Sequence, residues 1–387
     1  MGLERSGNLA PRLFASFSSD ELLRESGRLP FAVLYPFVRA GHEVWVHSSL
    51  KQRLMDFYRL NRGQANFPET ARLSLSMPGV RFTGEIPERV DEWTYLFDQP
   101  LVAATGRRWR RRLQIRSDLF SPYWLRAPLI APYAMHPSQS LMATHQRLHC
   151  LRLAPRAMRV LFAGDSKDYI RNRVRYPGPK LSRLEVLTTL KEQLGDAVVQ
   201  VSGADEISRL CDAGFVNRFV LSDSGSGIEP VKWLPTLARA DLFLCPPGMV
   251  MPMCHNVIEA MAVGTIPLIG YPEWFHPNLQ HMRNCVVFGG RDDLVEKMRM
   301  VLAMPQPQIE RMRAEVIDYY ERYLRPETLV DAIEARPERD LTVLIYTELN
   351  MARNEKKLNR RSVLMRGPSA PGPLRWIGRL LDGRAAA

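Results

Sequence analysis

The chain has 387 residues, 45% of them hydrophobic and 24% charged, the make-up of a folded globular protein of about two domains rather than a fibrous or disordered one. Its formal net charge of +12 calls for an anionic partner, whether phosphate, nucleic acid or a membrane surface. No apolar run reaches about 18 residues, and the first residues lack the charged start and apolar block of a secretory signal, so neither a spanning helix nor a leader is expected. The five cysteines, Cys150, Cys211, Cys245, Cys254 and Cys285, are odd in number and form no CxxC pair. That pattern argues against a disulfide framework and a structural zinc site, and fits a reducing, cytoplasmic setting.

In chain order, "PFAVLYPFVRAGHEVWVH" (30–47) predicts a helix, a turn at Ala40-Gly41-His42 and a short strand carrying Val44 and Val46. Apolar runs at 80–84, 93–98 and 127–137 alternate with helical patterns, which predicts an α/β domain over 1–150. The pattern resets at "LRLAPRAMRVLFAGD", where a Pro-Arg linker leads into a strand from Arg159 to Ala163 that ends on Gly164-Asp165-Ser166. A helix over 181–195, a strand in "AVVQVSG" and a helix feeding the strand Leu242–Leu244 follow. "NCVVFGGRDDLVEKMRMVLAM" gives strand, turn and helix, with Asp292 or Asp293 placed to cap the helix. The last long helix finishes near Leu324. The expected fold class is therefore α/β, with two Rossmann-like, doubly wound, mainly parallel domains at 1–150 and 151–330, and a C-terminal extension with a basic tail at 331–387. Ligands in such sheets bind beyond the carboxyl ends of the strands, so the loops 164–166, 245–248 and 270–275 are expected to border a cleft between the halves.

The most informative stretch is Leu242–Phe275, "LFLCPPGMVMPMCHNVIEAMAVGTIPLIGYPEWF". A helix starting near Cys254 puts His255, Asn256 and Glu259 on about one third of its circumference, near its first turn. A helix N-terminus offers free N–H groups and partial positive charge to a phosphate, and a carboxylate one turn further in suits a ribose diol. The plainer alternative is a solvated helix face, or a simple His255–Glu259 pair. The flanking segments are too apolar for a surface, however, and a carboxylate among them needs a partner. Metal binding is disfavoured, since the second histidine of HExxH is missing.

"DLFLCPPG…HNVIEAMAVGTIPLIGYPEWFHP" resembles the nucleotide-sugar-binding segment of GT-B fold glycosyltransferases, nearest in pattern to the exostosin-like group. The likeness covers about residues 240–325, with a looser extension to "RVLFAGD" and "AGHEVWVH". It implies a GT-B fold and transfer of a sugar from a nucleoside-diphosphate donor, with no further cofactor and no metal. Glu259 would hold the donor ribose, while Gly248, His255 and Asn256 would line the diphosphate. Gly164, Asp165 and Ser166 would form a loop near the phosphates or the sugar. Arg171, Arg173 and Lys180 are the candidates to neutralise the leaving diphosphate, against the alternative of a solvated basic stretch. Retaining relatives with two glutamates eight positions apart would place the earlier one at Met251, and its absence favours inversion. An inverting transfer needs a general base, expected from the N-terminal half. The candidates are Asp98, Asp118 and His136, with His136 preferred because imidazole ordinarily titrates near neutrality.

Two basic features remain. "GRRWRRRLQIR" (106–116) sets five arginines, within Arg107–Arg112, around Trp109, and the tail from Met351 to Ala387 carries nine Lys/Arg against two Asp/Glu. A lipid-linked or glycan acceptor at an anionic membrane surface accounts for both, as a peripheral protein on the inner face of the plasma membrane. A disordered solubilising tail is the alternative for the second feature. Nucleic acid is disfavoured because no recognisable nucleic-acid-binding module is present. A non-catalytic GT-B-like protein that binds glycan or membrane is the competing reading of the whole chain.

Overall fold

A computed structural model describes residues 10–62, 68–122, 127–166, 180–223, 227–248, 251–348 and 362–366. Thirteen strands lie among them. The first six are β1 (Arg12–Ser16), β2 (Glu43–His47), β3 (Val80–Thr83), β4 (Trp93–Phe97), β5 (Arg111–Arg116) and β6 (Leu129–Ile130). The next six are β7 (Met158–Ala163), β8 (Val198–Gln200), β9 (Val216–Ser222), β10 (Ala240–Cys245), β11 (Ile266–Ile269) and β12 (Val286–Val287). The last is β13 (Asp340–Leu344).

The chain forms two compact units. The first holds the residues up to Pro132 together with Pro326–Thr347, and the second holds Tyr133–Arg325 together with 362–366. The chain thus changes unit at Pro132–Tyr133, upstream of the Pro-Arg linker. The reason is local: the helices Pro137–Met142 and His145–Leu153 both pack on Pro230–Ala238 of the second unit.

In the first unit a seven-stranded sheet runs β3-β2-β1-β4-β5-β13-β6, and every pairing in it is parallel. The order reverses between β1 and β4, as in a doubly wound fold. Helix α1 (Arg28–Arg39) ends on Gly41 as its sequence predicts: the Gly41 amide donates to Val38 and the His42 amide to Phe37, closing the helix in a Schellman motif. The stretch expected to form a C-terminal extension contributes β13, which pairs with β5 from Asp340–Arg112 to Leu344–Arg116.

That pairing redefines the first basic patch. Trp109 is buried and stacks on Phe14 and Tyr95 at ring separations of 5.7 and 4.5 Å. Arg110 bonds Glu334, Arg111 donates to the Ile333 and Arg336 carbonyls, and Arg112 pairs with Asp340. These three arginines fasten the C-terminal segment to the first unit, whereas Arg107 and Arg108 are exposed. The basic tail from Met351 to Ala387 lies mainly outside the described residues. Among the described residues no helix is long and apolar enough to cross a membrane.

The second unit holds a six-stranded parallel sheet in the order β12-β11-β10-β7-β9-β8. Its central strands β7 (MRVLFA) and β10 (ADLFLC) are buried at every position. Continuous apolar strands are what a parallel sheet covered on both faces requires. The covering helices relevant to the site are α2 (Pro137–Met142), α3 (Arg183–Leu194), α4 (Pro230–Ala238) and α5 (His255–Ala262), with α6 (Gln306–Tyr319) further along. Helix α5 stops at Gly264, whose φ of +75° continues into Thr265 with amide bonds back to Met261 and Ala260. A Cβ there would meet Ile317 at 3.0 Å, so α6 packs directly against the stop.

Candidate functional site

An open cavity of about 280 Å³ lies in the second unit. Its walls come from the carboxyl ends of β7 and β9 (Ala163, Gly164, Asp165, Ser222), the first turn of α5 (His255, Asn256, Glu259) and the starts of α2 and α4 (His136, Ser138, Gln139, Pro230, Trp233). The sheet order reverses between β7 and β10, whose following connections lead to β8 on one side and β11 on the other, so the cavity sits at the switch point. Its volume falls near the lower end of ordinary small-molecule pockets, about 300–1,000 Å³.

Glu259 organises the walls. It has no exposed surface; Oε1 accepts the His136 backbone N–H at 2.9 Å and Oε2 accepts the Trp233 indole N–H at 2.6 Å. A single buried carboxylate therefore joins the α2 cap, α4 and α5. It lines the cavity together with His255 and Asn256 while holding these two donors. The Gln139 side-chain amide adds a second tie between α2 and α4 by donating to the Pro230 carbonyl at 2.9 Å.

His136, Ser138, His255 and Asn256 are among the residues that line the cavity from partly exposed positions, and Asp165 lines it from an exposed one. His136 caps α2: its Nδ1 takes the Ser138 amide at 3.3 Å and lies 2.8 Å from Ser138 Oγ. Its ring centre is 5.5 Å from that of His255. His136 belongs to the second unit, which corrects the expectation that it comes from the N-terminal half. Its sequence neighbourhood reads as a strand end, but the helix it caps packs on α4.

Cations complement the dipole of α5 at its far end. Arg152 donates to the Ala262 carbonyl and Arg156 to the Val263 carbonyl, each at 2.8 Å, so cations sit at the carboxyl end and the amino end faces the cavity. Burial pulls Arg156 down to about 9, helped by the nearby Arg313 and opposed by Asp241.

The remaining predicted residues fall elsewhere. Gly248 is buried in the turn after β10, where its amide donates to Pro252 and a Cβ would come within 2.7 Å of the Met251 carbonyl; it shapes the loop and does not line the cavity. Ser166 is described, half-buried and outside the lining. Lys180 is engaged by Glu273 and the Gly270 carbonyl, both at 2.6 Å. Arg171 and Arg173 lie outside the described residues. In the first unit, Asp98 collects the backbone amides of Ser18, Ser19 and Gln99, and Asp118 takes the Ser121 amide at 3.1 Å. Both carboxylates hold turns at strand ends. Asp293 accepts the Gly289 amide at 2.8 Å, while the residue at the helix cap itself is Gly290.

Sequence reasoning missed Trp233, Gln139 and Ser222. An indole in the first turns of a helix beside Pro230 and Pro235 is the one local sign that a polar partner waits within the core. Among the described residues no group of three His, Cys, Asp or Glu side chains could hold a metal ion.

No family model and no curated protein matches the chain. Among solved structures it is similar to Anabaena Alr3699/HepE in complex with UDP, at 11% identity and a TM-score of 0.42, over 84% of this chain and 98% of that one. The N-terminal domain of Candida albicans trehalose-6-phosphate phosphatase follows at 10% identity and a TM-score of 0.41, over 87% and 98%. An alpha-glucosyltransferase in complex with UDP and a 13-mer DNA matches at 11% identity and a TM-score of 0.38, over 84% and 99%.

Proposed function

We propose that the protein is a GT-B type glycosyltransferase that takes a nucleoside-diphosphate sugar into the cavity of its second unit. The observation that carries this reading is the placement of the α5 amino end, with His255 and Asn256, beside the Gly164-Asp165 loop at the switch point of a parallel sheet. Such a point gathers backbone N–H groups and helix-dipole charge where a diphosphate can be held. The exostosin-like likeness of Leu242–Phe275 supports the same reading, with a glycan or lipid-linked acceptor in cell-envelope or exopolysaccharide synthesis. By that resemblance the leaving diphosphate is stabilised by helix dipole and side chains, without a metal. The acceptor would approach at an anionic membrane surface, to which the exposed Arg107 and Arg108 can contribute.

Inversion is the proposed stereochemistry, because the position of the earlier of the two glutamates of retaining relatives is taken by Met251, an apolar side chain that is 1% exposed. Of the three candidates for proton transfer, His136 lines the cavity, and we assign it that step; Asp98 and Asp118 serve turns in the first unit. Glu259 enters as the brace that orients His136 and Trp233.

A thermal-shift panel of nucleotide sugars tests the reading. UDP- or GDP-sugars at about 100 times their Kd are expected to raise the melting temperature by about 5 °C or more, whereas free sugars leave it unchanged. Glu259→Ala is expected to remove the shift. Failure of every nucleotide sugar to stabilise the wild-type chain would refute the proposal.

A further inference from the structure

We propose that Arg183 is a positioning residue that holds together the phosphate-binding end of this cavity, an inference resting on the nucleotide-sugar reading above. Arg183 is 4% exposed, at the first position of α3. A cation there opposes the helix dipole, so the placement is locally unfavourable and calls for a reason outside the helix.

The reason lies in what its fork reaches. Nη1 donates to the Asp165 carbonyl at 3.0 Å, Nε to the Pro247 carbonyl at 3.3 Å, and Nη2 to Cys254 Sγ at 4.0 Å. These acceptors belong to three different segments: the loop after β7, the loop after β10, and the cap of α5. Strand-end loops leave the ladder, and their carbonyls must find donors elsewhere. A planar guanidinium with donors in fixed directions can serve all three at once, whereas a lysine ammonium cannot. Arg183 is itself held in place: Ser182 and Glu185 form a reciprocal capping box around the start of α3, and the guanidinium sits over the Phe162 ring at 6.0 Å.

The loop after β7 and the first turn of α5 line the cavity, and Arg183 fastens both to the loop after β10, which keeps their backbone N–H groups in register toward a diphosphate. Because Arg183 is buried, it acts through those loops and not by touching the ligand, while its charge adds to the partial positive charge of the α5 amino end.

Calorimetric titration of the full-length chain with UDP, inorganic pyrophosphate and uridine tests this. Arg183→Lys is expected to weaken UDP and pyrophosphate by about tenfold or more, as small misplacements of binding groups do, and to leave uridine within about twofold. Arg183→Gln should give the same pattern. Unchanged UDP affinity, or an equal loss for uridine and UDP, would overturn the assignment, as would failure of both variants to fold. If the wild-type chain binds pyrophosphate but no nucleotide, the nucleotide-sugar reading falls and the Lys comparison on pyrophosphate still decides the role of Arg183. Binding of neither overturns both.

Discussion

A carboxylate with no exposed surface survives in a protein interior only when donors surround it. Glu259 meets that condition with one backbone and one indole N–H, from segments 123 and 26 residues away in sequence. Glu259→Gln keeps the shape but turns an NH2 group toward one of those donors. The expected cost is about 1–3 kcal/mol in urea denaturation, the penalty for an unsatisfied buried donor. Trp233→Phe should cost less in the Glu259→Gln background than in the wild type, because the pair is coupled; equal costs would mean the 2.6 Å bond contributes nothing. His276 offers a second test at this scale. Burial holds it down to about 4, below its ordinary value of 6.5. The unfolded chain therefore takes up the proton first, and the stability His276 contributes is complete above about pH 6.5 and lost progressively down to about pH 4. His276→Gln should flatten the stability profile in that window, by up to about 3 kcal/mol at its lower end. A profile unchanged between wild type and variant would contradict the assignment.

At the scale of elements, β10 is pinned at its beginning by charge and opens at its end onto the cavity. Asp241 is fully buried and binds Arg159 at 2.9 Å and Arg313 at 2.5 Å, the latter reaching in from α6. Removing one member of a buried ion cluster leaves the others uncompensated. Asp241→Ala is expected to lower stability by about 3–5 kcal/mol, read from denaturant midpoints, without altering the cavity walls. A loss below about 1 kcal/mol would show that the two arginines find solvent or other partners on their own. Partners distant in sequence also separate the elements that are readable in the sequence from those that are not. β7, β10 and β11 are runs of apolar residues whose local pattern suffices, and Gly41 and Gly264 mark helix ends directly. β5 reads "RRLQIR" and passes for a surface patch, because the acidic and carbonyl partners that neutralise Arg110, Arg111 and Arg112 lie more than two hundred residues later. β9 carries the exposed polar residues Asn217 and Arg218 near its start, and β13 follows what looks like the end of the fold, so both need a sheet partner to be recognised.

For the whole molecule, the alternation of short apolar strands and helices points to two doubly wound parallel sheets, and both are present. Spacing alone groups His255, Asn256 and Glu259 at a helix start, and all three line the cavity. What spacing cannot supply is the direction of Glu259, since its partners are set by the packing of α2 and α4, or the unit to which His136 belongs. The central claim is that the cavity at the β7–β10 switch point receives a nucleoside diphosphate. Hydrogen–deuterium exchange of the full-length chain, with and without UDP or GDP, locates the binding residue by residue. The account predicts slowed exchange at 163–166, 254–259 and 136–139, with β8 and β12 unaffected. Binding that protects none of these segments, or that protects residues of the first unit in their place, would contradict it.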